Sequence, residues 1–153
     1  LGTERVPVCP SAIFGEGIAS EFYRSRKLLD RCLEAIALRN DLTLRELSLL
    51  LSLSQMHTFC SRAELADFAG LSKSSLARTL QKLSAKDYIR VSSTRKYLHV
   101  DLLPPAAALL PELATAQNDF DAARFAGLSE DELICYAKVT EKIKENTMRV
   151  LGV

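Results

Sequence analysis

The sequence predicts a mainly α chain with one small β-hairpin, and three observations carry that prediction. Ser61 and Ser72 each stand where a hydroxyl can cap a helix, and only Gly70 and Leu71 part the first helix from the second cap. Leu76, Leu80 and Leu83 recur at helical spacing behind Ser72. They leave the opposite face of that helix with Lys73, Ser74, Ser75, Ala77, Arg78, Gln81 and Lys82, and no acid. Two stretches of strand-like alternation, Asp87 to Val91 and Lys96 to Leu102, then flank the polar turn Ser92-Ser93-Thr94-Arg95. Two short helices joined by a glycine turn, with a hairpin directly after them, make a winged helix-turn-helix.

Each element follows from its local chemistry. Residues 1–17 hold Pro7, Pro10, Gly15 and Gly17 without a period, which predicts an irregular arm. From Ile18 to Arg39 the pattern is helical. Ile18, Phe22, Leu29, Cys32, Leu33, Ile36 and Ala37 share one side, and Asn40-Asp41 ends the run. Thr43 caps the next helix, with Glu46 at the capping-box position. Leucines at 44, 47, 49, 50, 51 and 53 lie on nearly every side of it, the mark of a buried helix, and Ser54 to Thr58 is a connection. Ser61 with Glu64 forms a second capping box, and Gly70 closes the short helix that follows.

Beyond the hairpin, Pro104-Pro105 suit a first helical turn, where their missing N–H is not needed. Pro111 is expected to kink this helix or mark its true start, and Gly127 ends it. Ser129 and Glu132 cap the last helix, with Glu130 and Asp131 at the positive end of its dipole. The plan is an N-terminal arm at 1–17, a winged helix-turn-helix at 42–103, and a helical dimerisation region at 18–41 and 104–153. A winged helix needs no three further amphipathic helices for its own core. A second copy is the expected partner, since two-fold homodimers are the commonest oligomers.

The net charge of +1 hides a division. Between Thr58 and Val100 stand eight Lys and Arg against three acids, whereas the rest of the chain holds twelve against sixteen. A basic centre between acidic flanks is the footprint expected for a polyanion. Small hydroxyls at the start of the helix after Ser72 suit base edges, and its longer cations suit phosphates.

The run Ala63-Glu64-Leu65-Ala66, then Gly70 through Leu83, then Tyr88-Ile89-Arg90, resembles the winged-helix core of the multiple-antibiotic-resistance repressor (MarR) family. Leu42-Thr43 and the apolar helix behind them resemble the segment that family places ahead of its helix-turn-helix. The resemblance covers about residues 18–150. There are departures. Where the family carries Asp-x-Arg at the wing tip, this chain has Ser93-Thr94-Arg95 in a shorter loop. Where the family tends to read Leu-Thr-x-x-Gly after the wing, it has Leu102-Leu103-Pro104-Pro105-Ala106.

The function expected is a dimeric, sequence-specific DNA-binding transcriptional regulator acting in the cytoplasm on an inverted-repeat operator. Lys73, Ser74, Ser75 and Arg78 are the residues for bases or adjacent phosphates, and Lys82, Arg62, Arg95 and Lys96 those for phosphate neutralisation. The resemblance implies interleaved terminal helices in the dimer. It also implies a sensor, either for a small, often aromatic ligand between the dimer helices and the winged helix, or through a reactive cysteine. Cys32 and Cys135 read as packed core thiols, and Cys9 as an exposed one.

No apolar run suits a membrane span, and no basic region followed by an apolar stretch marks a signal peptide. Four scattered cysteines without a CxxC pair, and two histidines, give no expectation of metal or cofactor. No phosphate-binding glycine loop, HExxH or GxSxG occurs, and His57 with Cys60 lacks an evident third orienting group, so no catalytic residue is assigned. The competing reading is a winged helix that docks another protein and leaves its basic helix solvated.

Overall fold

The computed structural model describes residues 18–56 and 59–152. The arm expected over residues 1–17, with Cys9, lies outside the described residues, as do the side chains of His57 and Cys60. The order of elements is α1 (Ile18–Arg39), α2 (Leu44–Gln55), β1 (Phe59–Cys60), α3 (Arg62–Phe68), α4 (Lys73–Ala85), β2 (Ile89–Ser93), β3 (Leu98–Leu102), α5 (Pro104–Phe125) and α6 (Glu130–Leu151). The expected class holds: among the described residues helices dominate, and the wing is the one β-hairpin.

Helix starts follow the capping residues. Thr43, Ser61 and Ser129 each accept from the backbone N–H three residues on, and Glu46, Glu64 and Glu132 reach back to the cap backbone. These are complete capping boxes, which satisfy donors that no helical carbonyl can reach. Helix ends follow a second rule. Past α3, Gly70 has φ +63°, Gly70 N–H donates to Asp67 O, and Leu71 N–H donates to Ala66 O. That is a Schellman closure, and glycine takes its left-handed residue without strain. The same closure ends α4 with Asp87 at φ 60°, where Tyr88 N–H donates to Leu83 O. It also ends α1, with Asp41 at φ 51° and Leu42 N–H donating to Ala37 O. Aspartate tolerates this conformation better than most side chains.

The strands differ from expectation by two residues. The closure after α4 consumes Asp87 and Tyr88, so β2 begins at Ile89 rather than Asp87 and runs on to Ser93. β3 begins at Leu98 rather than Lys96, and the hairpin turn moves to 94–97. The sheet has three strands in the order β1-β3-β2, all antiparallel. β1 pairs Phe59 with His99 and Cys60 with Leu98, so the segment before the helix-turn-helix braces the wing.

The described chain divides into two compact units, one ending at Asn118 and the other beginning at Asp119. In the first, Leu47, Leu50, Leu65, Leu76, Leu83, Ile89 and Leu98 are each at most 1% exposed. They join α2, α3, α4, β2 and β3 around one apolar centre, each such side chain contributing about 1.5–3 kcal/mol by leaving water. α2 is buried as its leucine pattern demands. α5 starts at Pro104 and runs unbroken through Pro111, so Pro111 is not the true start. Pro111 has no N–H to donate to the carbonyl of Ala107, and both residues are exposed, where solvent can reach them. Phe22, expected on the buried side of α1, is exposed: among the described residues none covers it or the neighbouring Tyr23.

The second unit holds the last turns of α5 and the whole of α6. Phe125 and Tyr136 meet edge to face at 5.5 Å, and Arg124 lies over the Phe120 ring and donates to the Tyr136 hydroxyl. α6 buries none of its residues, and Ile134, Tyr136, Val139, Ile143, Val150 and Leu151 are all exposed. Cys135, read from sequence as a core thiol, is exposed with them, because the end of α5 meets α6 at Tyr136 and leaves none of its residues buried. Cys32 is half-buried.

Candidate nucleic-acid interface

Three supports hold the outer face of α4. Ser72 adopts φ −69°, ψ 157°, and its Oγ accepts from Ser75 N–H at 3.2 Å. The buried stripe Leu76, Thr79, Leu80 and Leu83 fixes the rotation of the helix. Thr79 is the polar member, and its hydroxyl is satisfied by Ser75 O at 2.8 Å. With that stripe inward, Lys73, Ser74, Ala77, Arg78, Gln81 and Lys82 are exposed and Ser75 is half-buried. Ser74 Oγ and Ser72 Oγ lie 3.2 Å apart.

α4 also differs from the other capped helices in charge. The first turns of α2, α3 and α6 each carry acid, and the first turn of α4 carries none. The N-terminal end of a helix is electropositive, and here Lys73 adds to it with no carboxylate to offset either.

Arg62 begins α3 and is exposed. It lines a groove of about 450 Å³ with Ala77, Gln81 and Ser84 of α4 and Val91 of β2. Arg62 thus shares a surface with the middle of α4 and the base of the wing. Arg95 and Lys96 stand exposed at the hairpin tip. That turn is closed by Thr94, whose N–H donates to Tyr97 O at 2.9 Å and whose Oγ1 accepts from Tyr97 N–H at 3.2 Å. Thr94 therefore orders the tip, one position after Ser93, which stands where the resemblance led one to look for aspartate.

All eight residues singled out from sequence lie on α3, α4 or the wing, in the first unit. None of their cations makes an ion pair among the described residues. Sequence reasoning left two neighbours off the list. Arg90 faces out beside the buried Ile89, as strand alternation from Ile89 would have shown. Tyr97, 58% exposed next to the cationic tip, carried no distinguishing sequence signal. One cation departs from the group. Lys86 donates to Glu46 Oε2 at 3.0 Å and Asp41 O at 2.7 Å, so its charge is not free. Burial pushes the Glu46 carboxyl up, but the Thr43 N–H and Lys86 outweigh it and hold the group below the usual carboxylate range.

Among the described residues, no three His, Cys, Asp or Glu gather to hold a metal ion, and no helix is long and apolar enough to cross a membrane. A second groove, of about 560 Å³, lies along α1 and the start of α2. Arg24, Lys27 and Arg31 line it with Asp30 and Glu34.

Residues 40–96 match the model of the MarR family. No curated protein matches the chain by sequence. Among solved structures, a MarR family transcriptional regulator from Silicibacter pomeroyi aligns with a TM-score of 0.72 at 22% identity, over 88% of this chain and 94% of that one. A MarR family transcriptional regulator from Listeria monocytogenes complexed with a 26-mer DNA aligns with a TM-score of 0.71 at 16% identity, over 86% and 89%. Bordetella bronchiseptica BpsR, in a structure concerned with regulation of its DNA binding by 6-hydroxynicotinic acid, aligns with a TM-score of 0.60 at 21% identity, over 85% and 96%. At these identities the likeness is one of fold.

Proposed function

From a winged helix of the MarR family at residues 40–96, on a chain folded as the regulators of that family are, we propose a dimeric, sequence-specific DNA-binding transcriptional regulator. The observation that carries the reading is the outer face of α4: exposed, acid-free, and small at its N-terminal end. Such a face fits a major groove, where Ser74, Ser75 and Arg78 meet base edges and Lys73 meets a base or an adjacent phosphate. Lys82, Arg62, Arg95 and Lys96 neutralise phosphate, which gives affinity without sequence preference. Arg90 adds to the same charge.

The dimer reading is supported by α6. Tyr136, Val139, Ile143 and Val150 recur at spacings of three, four and seven residues and are all exposed in the single chain. Within its own unit this apolar side meets Phe125, through Tyr136, with no residue of α6 buried, and an amphipathic helix left so open fits the face of a second copy. A two-fold pair presents two α4 helices to half-sites one helical turn apart, roughly 34–36 Å. The groove along α1, where three cations stand with two carboxylates and two leucines, supports the reading of a small-molecule effector. Its action is in the cytoplasm, where the operator is.

The test is selection of bound duplexes from a random pool by the purified chain at near-physiological salt. The expected product is an inverted repeat with half-sites about one turn apart. Retention of every sequence alike, sensitive only to salt, overturns the sequence-specific reading.

A further inference from the structure

Lys86 follows the last residue of α4, and its geometry separates it from the other basic residues of the winged helix. Its Nζ reaches Asp41 O at 2.7 Å and Glu46 Oε2 at 3.0 Å, respectively 45 and 40 positions back in the chain. Glu46 is 1% exposed. Its Oε2 also accepts from Thr43 N–H at 2.8 Å, so one carboxylate oxygen holds both the first turn of α2 and the last turn of α4. Tyr88 reinforces the contact: its hydroxyl lies 3.4 Å from Asn40 O, and its carbonyl accepts from Leu103 N–H at 2.9 Å. The end of α1, the start of α2, the end of α4 and the approach to α5 thus meet at residues 86–88.

The chemistry explains why a cation stands there. α1 and α4 both end at this point, and helix C-termini are electronegative. Two such ends repel unless a cation lies between them, and Lys86 donates to one end from the other. A buried ion pair is poor evidence for added stability, because desolvation offsets its attraction. What it supplies is register, since loss of Lys86 leaves the buried Glu46 carboxylate without its cation, whereas the Lys86 side chain is itself 36% exposed.

The lever is long. α4 has 13 residues and spans about 20 Å, with its small hydroxyl end remote from Lys86. A tilt of about 3° at the pinned end moves the far end by about 1 Å, enough to spoil hydrogen bonds whose distances span only 2.7–3.2 Å.

We propose that Glu46 and Lys86 are positioning residues for DNA recognition, fixing the angle of α4 and the start of the wing against the α1–α2 corner. The inference rests on the DNA-reading function proposed above. It separates sequence preference from affinity: the pair touches no DNA, yet the reading of bases depends on it.

The experiment compares the full-length parent with Lys86→Met, Lys86→Arg and Glu46→Gln. Affinity for a duplex selected by the parent, affinity for a random duplex, the salt slope of each, and thermal unfolding are all measured. Lys86→Met and Glu46→Gln are expected to lower the ratio of specific to random affinity roughly tenfold, within the range of coupling seen between contacting residues. Their salt slopes stay unchanged, and Lys86→Arg, which keeps its donors, retains the ratio. Should Lys86→Met fail to fold, Glu46→Gln carries the same test. A salt slope lowered by about one in Lys86→Met, with affinity raised in Glu46→Gln, makes Lys86 a phosphate contact and overturns the proposal. Lower melting temperatures with an unchanged ratio make the pair merely structural and overturn it as well. A parent with no preference between duplexes refutes the DNA-reading function itself, a result visible before any variant is made.

Discussion

Placing a glutamate at position 75 separates the folding of α4 from its use. Ser75 stands three residues after the cap Ser72, where Glu46, Glu64 and Glu132 stand in the other capped helices. The backbone of Ser72, at φ −69° and ψ 157°, matches those of Thr43, Ser61 and Ser129, which lie at φ −74° with ψ between 156° and 164°. A carboxylate in Ser75→Glu therefore reaches the Ser72 N–H, as its three counterparts do at 2.7–3.0 Å. Completing the capping box and placing an anion at the positive end of the helix stabilises the fold by about 0.5–1 kcal/mol.

DNA binding moves the other way. A carboxylate about 5 Å from a phosphate repels it by about 1–3 kcal/mol at an effective dielectric between 80 and 20, so affinity falls about 5–150-fold for every sequence. Urea unfolding reads the first effect and fluorescence anisotropy of a labelled duplex the second. Ser75→Gln, which can close the box without charge, serves as control and is expected to lose far less affinity. If Ser75→Glu binds DNA as the parent does, the N-terminal end of α4 is not in a groove. If it destabilises the chain, the cap geometry described for Ser72 is wrong.

Other expectations follow from the same geometry. Arg78→Ala costs about 1–3 kcal/mol of binding to the selected operator and relaxes its sequence preference, measured across single-base variants of the site. Equal binding of every duplex by mutant and parent removes Arg78 from the base contacts. Lys96→Ala weakens all sequences alike and lowers the salt slope by about one, and an unchanged slope takes the wing tip off the DNA. Asp87→Gly relieves the left-handed residue after α4, at φ 60°, and is expected to leave stability equal or raised by up to about 1 kcal/mol, whereas Asp87→Val lowers it. Glu46 gives a pH signature. Its folded-state carboxyl is held below the usual range by the Thr43 N–H and Lys86 against the opposing effect of burial. The stability it contributes is therefore fully present above its unfolded value and lost as pH falls through the folded one. Urea midpoints from about pH 5 downward should decline less steeply in Glu46→Gln than in the parent.

What the sequence by itself determined is what neighbours along the chain decide among themselves. Thr43, Ser61, Ser72 and Ser129 mark four helix starts because a hydroxyl and an N–H three residues on meet with no help from elsewhere. Gly70 marks a helix end for the same reason, and the leucine period of α4 fixes which side faces out. The five candidate contacts on α4 were legible because side chains at i, i+4 and i+7 share a face whatever packs behind them, and Arg62, Arg95 and Lys96 because they are the cations of the neighbouring cap and turn. Only the tertiary structure decided the rest. β1 pairs across some 40 residues and has no period of its own in two positions. β2 begins two residues late because Asp87 and Tyr88 close α4, a conformation aspartate tolerates but does not announce. Glu46 reads as one capping acid among several, and Lys86 as one surface cation among eight. Their pairing depends on where α1, α2 and α4 end relative to one another. A cap needs only adjacent bonds, whereas an ion pair between distant residues exists only once the packing of the whole unit has brought them together.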